Sequence, residues 1–288
     1  MFQGAITALI TPFSGGAVDE GRLRRNVQWQ IERGIAGLVP VGTTGESPTL
    51  DHAEHNRVVD VVIEAAGGRV PVIAGTGSNS TAEALAMTRH AKDAGAAASL
   101  QVNPYYNKPT QEGLYRHFMS IADTVDLPMV LYNIPGRTAV ALSIETIVRL
   151  ARHPNIIAIK EATGSLDVAS EIAAQTGLTI LSGDDSLTLP ILSVGGKGVI
   201  SVASNIVPER VERLTRSALH GQWDEARRLH LELMPLFKGL FVETNPVPVK
   251  AAMQLMGLDT GELRLPMCEL SPAHREKLEQ LLRRYELI

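Results

Sequence analysis

Eight short apolar runs recur along the chain roughly every 20 to 33 residues. They are AITALI (5–10), GLVPVG (37–42), VPVIAG (70–75), AASLQVN (97–103), MVLYN (129–133), IIAIKEA (156–162), TILSGD (179–184) and GVISVAS (198–204). Continuous apolar runs of this length suit parallel strands covered on both faces. Helical patterns fill the gaps. Over 19–34, Leu23, Val27 and Ile31 repeat at four-residue spacing, and the pattern stops at Gly34. Over 80–95, Glu83 follows Ser80 by three residues and the segment ends at Gly95. That spacing predicts a capping box with a C-terminal glycine.

Strand–helix alternation repeated eight times predicts an α/β fold, a (β/α)8 TIM barrel. A doubly wound open sheet is the alternative. It usually has fewer units and a Gly-rich nucleotide turn after its first strand, where this chain has TPFSGG. After residue 205 the strands stop. Segments 207–219, 222–240, 246–257 and 272–286 read as helices, the first closing the barrel and the other three forming a C-terminal helical appendage. The expected organisation is a catalytic barrel over 1–220 and a helical region over 221–288 packed on it.

Composition narrows the class. The chain has 288 residues, 44% hydrophobic and 20% charged, with a net charge of −4 and both signs interspersed. A barrel with extra helices fits that length. No basic patch or Arg-rich arm points to nucleic acid. The one cysteine, Cys268, allows no internal disulfide and suggests a reducing compartment. It reads as buried packing. MFQGAITALITPF lacks a basic leader and a long apolar run, so we expect neither a signal peptide nor a membrane span, and a cytoplasmic protein.

In this fold functional groups come from the C-terminal ends of the strands. The second run leads into GTTGES with Thr43 and Thr44, and the fourth into NPYYNKP with Tyr105 and Tyr106. The fifth ends at Tyr132 and leads into NIPGRT with Arg137, and the sixth carries Lys160. Side-chain alternation puts Ile156, Ala158, Lys160 and Ala162 on one face, Ile157 and Ile159 on the other. Val130 and Tyr132 share a face opposite Met129 and Leu131. Lys160 and Tyr132 can then both point inward. A lysine so placed is either neutralised by Glu161 or a nearby aspartate, or it is a nucleophile. Burial disfavours an ammonium, and the free amine adds to a ketone to give an imine. A neighbouring phenol able to shuttle protons favours the nucleophile. Arg137 offers a planar fork to a carboxylate, and the hydroxyls and N–H groups of GTTGE could hold a second. Asp184 and Asp185 would repel a phosphate after the seventh strand, and GTGSNS (75–80) lacks the third glycine of a dinucleotide fingerprint. A keto acid is therefore expected rather than a sugar phosphate.

The eight histidines form no HExxH and do not cluster at strand ends, so metal chemistry is not indicated. His52 and His55, three apart, read by spacing as a solvated helix face. Tyr105 and Asn245 have a plain structural reading, packing or capping a loop.

GTTGE, PYYNKPTQEGLYRHF, LYNIPGRT, IKEATG, LSGDD, GVISV and ETNPVPVKAAM together resemble the dihydrodipicolinate synthase family of pyruvate-dependent aldolases and lyases. The resemblance runs nearly end to end. It implies a lyase that condenses pyruvate with L-aspartate 4-semialdehyde on the way to diaminopimelate and lysine. No organic cofactor and no catalytic metal are implied, and the implied assembly is a homotetramer, a dimer of tight dimers. By resemblance Lys160 is the Schiff-base lysine and Tyr132 the general acid/base, with Thr43 in its proton relay. Tyr106 reaches across the tight dimer to complete the neighbour's relay. Thr44 holds the pyruvate carboxylate, Arg137 the semialdehyde carboxylate, and Gly183 and Ile200 line the pocket. Some members of the family are inhibited by L-lysine, at positions matching Ser47, Pro48, His52, His55, Asn79, Glu83 and Tyr105. Pro48 departs from the small residue common there; the last five have the types seen in lysine-sensitive members.

Sibling aldolases, such as N-acetylneuraminate lyase or a 2-keto-3-deoxy sugar-acid aldolase, share the lysine and tyrosine and are the nearest alternative. Arg137 and the GTTGE form favour the synthase. A non-catalytic barrel sensing keto acids or lysine would have no need of Lys160 or the hydroxyl chain.

Overall fold

The apolar runs pair in parallel. The computed structural model describes residues 2–288. It contains β1 (Gly4–Ala8), a small antiparallel hairpin of β2 (Phe13–Ser14) and β3 (Ala17–Val18), then β4 (Gly37–Val39), β5 (Ile73–Gly75), β6 (Ala98–Val102), β7 (Met129–Asn133), β8 (Ile156–Glu161), β9 (Thr179–Ser182) and β10 (Gly198–Ser201). Apart from the hairpin, the strands form one eight-stranded sheet in the order β4-β1-β10-β9-β8-β7-β6-β5. Its seam, between β4 and β5, is closed by bonds from Leu38 N to Pro71 O (3.0 Å) and from Gly75 N to Pro40 O (3.1 Å). This is the predicted (β/α)8 barrel.

Helices follow the strands: α1 (Glu20–Glu32), α2 (His52–Ala66), α3 (Thr81–Ala94), α4 (Gln111–Thr124), the single turn α5 (Pro135–Thr138), α6 (Ile144–Leu150), α7 (Leu166–Gln175), α8 (Thr188–Ser193) and α9 (Pro208–Leu219). Asp19, Asp51, Ser80, Thr110, Ser143 and Ser165 each accept a bond from a backbone N–H of the first turn they precede. Such caps satisfy donors that the helix cannot. The box predicted at Ser80 is only half formed. Glu83 turns instead to the Ser78 hydroxyl (2.7 Å), which also takes the Ser80 N–H (3.1 Å). The reciprocal box lies at α2, between Asp51 and Glu54.

Inward side chains fill the barrel: Ile6, Val39, Ile73, Leu100, Val130, Tyr132, Ala158, Leu181 and Ile200 pack as one cluster. Met129, Leu131 and Ile159 face the helices, as alternation predicts. Ile156 and Ile157 do not follow it. Ile156 packs outside and Ile157 against the inner cluster. The cause is a register shift: Met129 pairs with Ile156, but Val130 pairs with Ala158. One extra residue reverses parity on one side of a bulge. Beyond it, Tyr132 lies level with Lys160.

The three C-terminal helices are α10 (Trp223–Gly239), α11 (Val247–Leu255) and α12 (Pro272–Arg284). Their Leu233, Phe237, Val249 and Leu282 share one apolar cluster with Leu9, Leu38 and Val211 of the barrel. The boundary expected at residue 220 falls at the turn between α9 and α10. Among the described residues no helix is long and apolar enough to cross a membrane.

A buried ion pair ties this appendage to the barrel mouth. Lys250 of α11 is 0% exposed and Glu46, in the loop after β4, is 2% exposed. Lys250 Nζ lies 2.6 Å from Glu46 Oε1, 3.0 Å from the Thr11 carbonyl and 4.3 Å from the Phe13 ring centroid. The loop they hold is strained: Val41 (φ 50) and Glu46 (φ 52) are left-handed, a costly conformation for a β-branched residue. Removing one member of such a pair strands a buried charge. We therefore expect Lys250→Met to lower unfolding free energy by about 3–5 kcal/mol. The Glu46→Gln/Lys250→Met double variant should lose clearly less than the sum of the single losses in denaturant titrations. Additive losses would contradict the coupling.

Candidate active site

Lys160 occupies the C-terminal end of β8, 7% exposed, inside the barrel. Its Nζ stands 4.1 Å from the centroid of the Tyr132 ring on the adjacent strand. Among the described residues no carboxylate lies within ion-pair distance of it. Glu161, the partner that would neutralise it, points the other way, accepting from Thr163 N (2.6 Å) and Asn133 Nδ2 (3.4 Å). Burial pushes the Glu161 carboxyl up, against those hydrogen bonds. Asp184 is likewise pushed up by burial, while Lys160 and Lys238 pull it down. Asp185 is buried and bonded to Ser201 Oγ (2.5 Å) and to the N–H groups of Val202 and Ala203 (both 3.0 Å). It pins the end of β10 rather than facing a ligand.

A neighbouring backbone comes very close to this strand end. A Cβ on Gly183 would sit 2.6 Å from the Ala162 Cβ. Only glycine lets the end of β9 run so near β8. Ile200 lies in the inner cluster, 1% exposed.

A cavity of about 430 Å³ opens beside Tyr132. Thr43, Tyr132, Arg137 and Asn245 line it, together with Ser47, Pro48, His52, His55, Glu83 and Tyr105. Two of the residues expected to react, Thr43 and Tyr132, thus share one space with most of those expected to regulate. Lys160, Thr44, Gly183, Ile200, Asn79 and Tyr106 do not line it. Lys160 adjoins it through the Tyr132 ring. Thr44 is 3% exposed, and its hydroxyl accepts from Asn245 Nδ2 at 3.0 Å. Arg137 Nη2 donates to the Asn245 carbonyl at 3.2 Å. No carboxylate among the described residues pairs with Arg137, so its charge is free for a ligand. Thr43 and Tyr132 share the cavity without a hydrogen bond between them. Catalytic contacts of this kind often tighten only when substrate is bound.

Tyr106 is 90% exposed and left-handed (φ 71), pointing away from its own barrel. Asn79 Nδ2 donates to the Tyr105 carbonyl (3.2 Å) and Asn107 Nδ2 to the Asn79 carbonyl (2.9 Å), which holds the loop in place.

The two histidines read as a solvated face differ. His52 is exposed, but His55 is 3% exposed and its Nε2 lies 2.8 Å from the Gly75 carbonyl. Burial holds its pKa below 6.5. Cys268 was expected to be buried and is exposed. It lies in the irregular segment between α11 and α12, where its neighbours Met267 and Leu270 pack on the apolar cluster and Cys268 itself stays outside. Among the described residues no group of three or more His, Cys, Asp or Glu side chains could hold a metal ion. Sequence reasoning missed Glu46 and Lys250, and left Asn245 as a mere loop residue. All three fall inside the motifs GTTGE and ETNPVPVKAAM, the only signal available.

The family model described as Dihydrodipicolinate synthetase family matches residues 1–285. The chain is 56% identical to the 4-hydroxy-tetrahydrodipicolinate synthase of Citrifermentans bemidjiense, over 290 residues that cover 100% of both chains. It is similar to the crystal structure of the chloride-inhibited dihydrodipicolinate synthase of Acinetobacter baumannii complexed with pyruvate, with a TM-score of 0.97, 46% identity and 100% coverage of each chain. It is also similar to the lysine-bound dihydrodipicolinate synthase of Cyanidioschyzon merolae, with a TM-score of 0.97 and 43% identity over 100% of this chain and 99% of that one.

Proposed function

The chain belongs to the dihydrodipicolinate synthetase family of lyases, and on that premise we propose that it is a 4-hydroxy-tetrahydrodipicolinate synthase. It condenses pyruvate with L-aspartate 4-semialdehyde through an imine on Lys160. The observation that carries this reading is the Lys160 amine, buried beside a phenol with no carboxylate partner. The pyruvate complex of the A. baumannii relative supports the first substrate.

The Lys160 amine adds to the pyruvate ketone, and loss of water gives a cationic imine. That cation acidifies the methyl group, so a modest base yields the enamine. The enamine carbon attacks the aldehyde carbon. The semialdehyde's own amine then displaces Lys160 and closes the ring. Each proton step needs a group that both donates and accepts. Tyr132 and Thr43 supply it, completed by Tyr106 from a neighbouring protomer. A tyrosine both exposed and held in a strained backbone supports that role. Thr44 takes the pyruvate carboxylate, Arg137 the semialdehyde carboxylate, and Gly183 and Ile200 shape the pocket. No step calls for a metal or organic cofactor. The active assembly is a homotetramer built from tight dimers.

L-Lysine is the proposed inhibitor, held by Ser47, Pro48, His52, His55, Asn79, Glu83 and Tyr105. The lysine-bound C. merolae relative supports this. Glu83 faces the ligand's α-ammonium and His55 its side-chain amine. Neutral His55 donates from Nε2 to the Gly75 carbonyl, and its Nδ1, at 3.5 Å from Asn56 Oδ1, exchanges that long contact for the ammonium.

The test is product formation from pyruvate plus the semialdehyde, against cleavage of sialic acid or 2-keto-3-deoxygluconate. The account predicts turnover of the first pair only. Lys160→Ala should remove nearly all activity and keep the far-UV circular dichroism of the parent. Cleavage of a sugar acid at the higher rate would favour a sibling aldolase. Protonated His55 repels an ammonium, so calorimetry should show lysine binding at pH 7 that is lost as pH falls below 6.5 through the depressed His55 pKa. Binding that is independent of pH over this range would contradict the assignment.

A further inference from the structure

Asn245 is the buried polar residue of the cavity whose hydrogen bonding is incomplete. It is 6% exposed and lines the cavity. Its Nδ2 donates to Thr44 Oγ1 (3.0 Å) and its backbone carbonyl accepts from Arg137 Nη2 (3.2 Å). Its Oδ1 has no donor among the described residues. A loop cap uses its side chain on the backbone beside it. The Asn245 side chain instead bonds a side chain of the loop after β4, and its backbone carbonyl meets Arg137 of the segment after β7. A buried amide oxygen without a donor is costly, and within a ligand cavity it discriminates for a ligand that brings an N–H.

The two substrates differ in that respect. Pyruvate carries no N–H or O–H donor. The semialdehyde carries an α-ammonium on the same carbon as its carboxylate. With that carboxylate on Arg137, the ammonium is one carbon away, and Asn245 touches the same guanidinium. An acidic residue at this position would attract the ammonium but would also compete for Arg137. A neutral amide oxygen accepts the ammonium and leaves Arg137 charged and available.

Resting on the synthase reading, we propose that Asn245 determines specificity for the amino aldehyde: its Oδ1 accepts a hydrogen bond from the α-ammonium, while Nδ2 and the carbonyl hold Thr44 and Arg137 in place. The test removes the amide and the amine in turn. Succinate semialdehyde has the same aldehyde and carboxylate without the amine. On the unaltered protein it should bind at least about tenfold more weakly than L-aspartate 4-semialdehyde. Asn245→Ala should raise KM for the amino aldehyde roughly 10- to 100-fold, the worth of one hydrogen bond to a charged group. The same variant should leave the Ki of succinate semialdehyde, as a competitor, within about threefold. Asn245→Asp keeps an acceptor oxygen but brings the charge that competes for Arg137, so it should hold the amino aldehyde more tightly than Asn245→Ala does and less tightly than the unaltered protein. Both variants should still give a borohydride-trapped pyruvate adduct, which reports a folded site. Equal weakening of both ligands would mean that Asn245 only holds its neighbours, and would overturn the proposal. So would an unchanged KM, or equal binding of the two aldehydes by the unaltered protein. If the unaltered protein takes pyruvate but never turns over the amino aldehyde, the synthase reading falls and this proposal with it. Normal turnover without the selective loss sinks the proposal alone.

Discussion

An amine held inside a barrel, against an aromatic ring and with no carboxylate in ion-pair contact among the described residues, is the constraint on which the rest turns. Two features of the backbone set that position. Alternation along β8 sends Glu161 outward to Asn133 and Thr163. The bulge then sets the pairing. Counting from Met129–Ile156, an unbulged ladder would put Ile159 opposite Tyr132; the extra residue puts Lys160 there instead. One inserted residue therefore decides whether a hydrocarbon or an amine meets the phenol.

The hydroxyl and guanidinium groups around that amine are held from far away in sequence. The loop carrying Thr43 and Thr44 follows β4 and bends through left-handed residues that would relax if unsupported. Lys250 and Asn245, both from the C-terminal region, supply the support. One pairs with Glu46, and the other joins Thr44 to Arg137. The appendage is thus part of the site's scaffold, and its attachment is electrostatic at the mouth and apolar beneath. A buried pair of this kind specifies an arrangement more surely than it stabilises one.

Much of this was legible in the chain. Period-two and apolar-run patterns gave all eight barrel strands, because buried parallel strands leave a continuous signal. The rule that chemistry sits at strand ends singled out Lys160, Tyr132, Arg137 and the two threonines, of which Thr43, Tyr132 and Arg137 line one cavity. What stayed hidden has a common cause: it depends on contacts between distant segments, or on single-residue irregularities. The bulge at Ile157 leaves no trace in a run of isoleucines, so Ile156 was assigned to the wrong face. His55 looked solvated beside His52 because burial on α2 depends on what packs over it. Ser80 and Glu83 have the spacing of a box, yet Ser78 captures the glutamate. Lys250 and Glu46 are both ordinary surface residue types, and nothing local says that each buries the other.

The central claim is that Lys160 bonds covalently to a small keto acid. Incubating the protein with pyruvate, reducing with borohydride and mapping the product by mass spectrometry tests it directly. The account predicts one adduct per chain, on Lys160. No adduct, or an adduct spread over surface lysines with Lys160 unmodified, would contradict it.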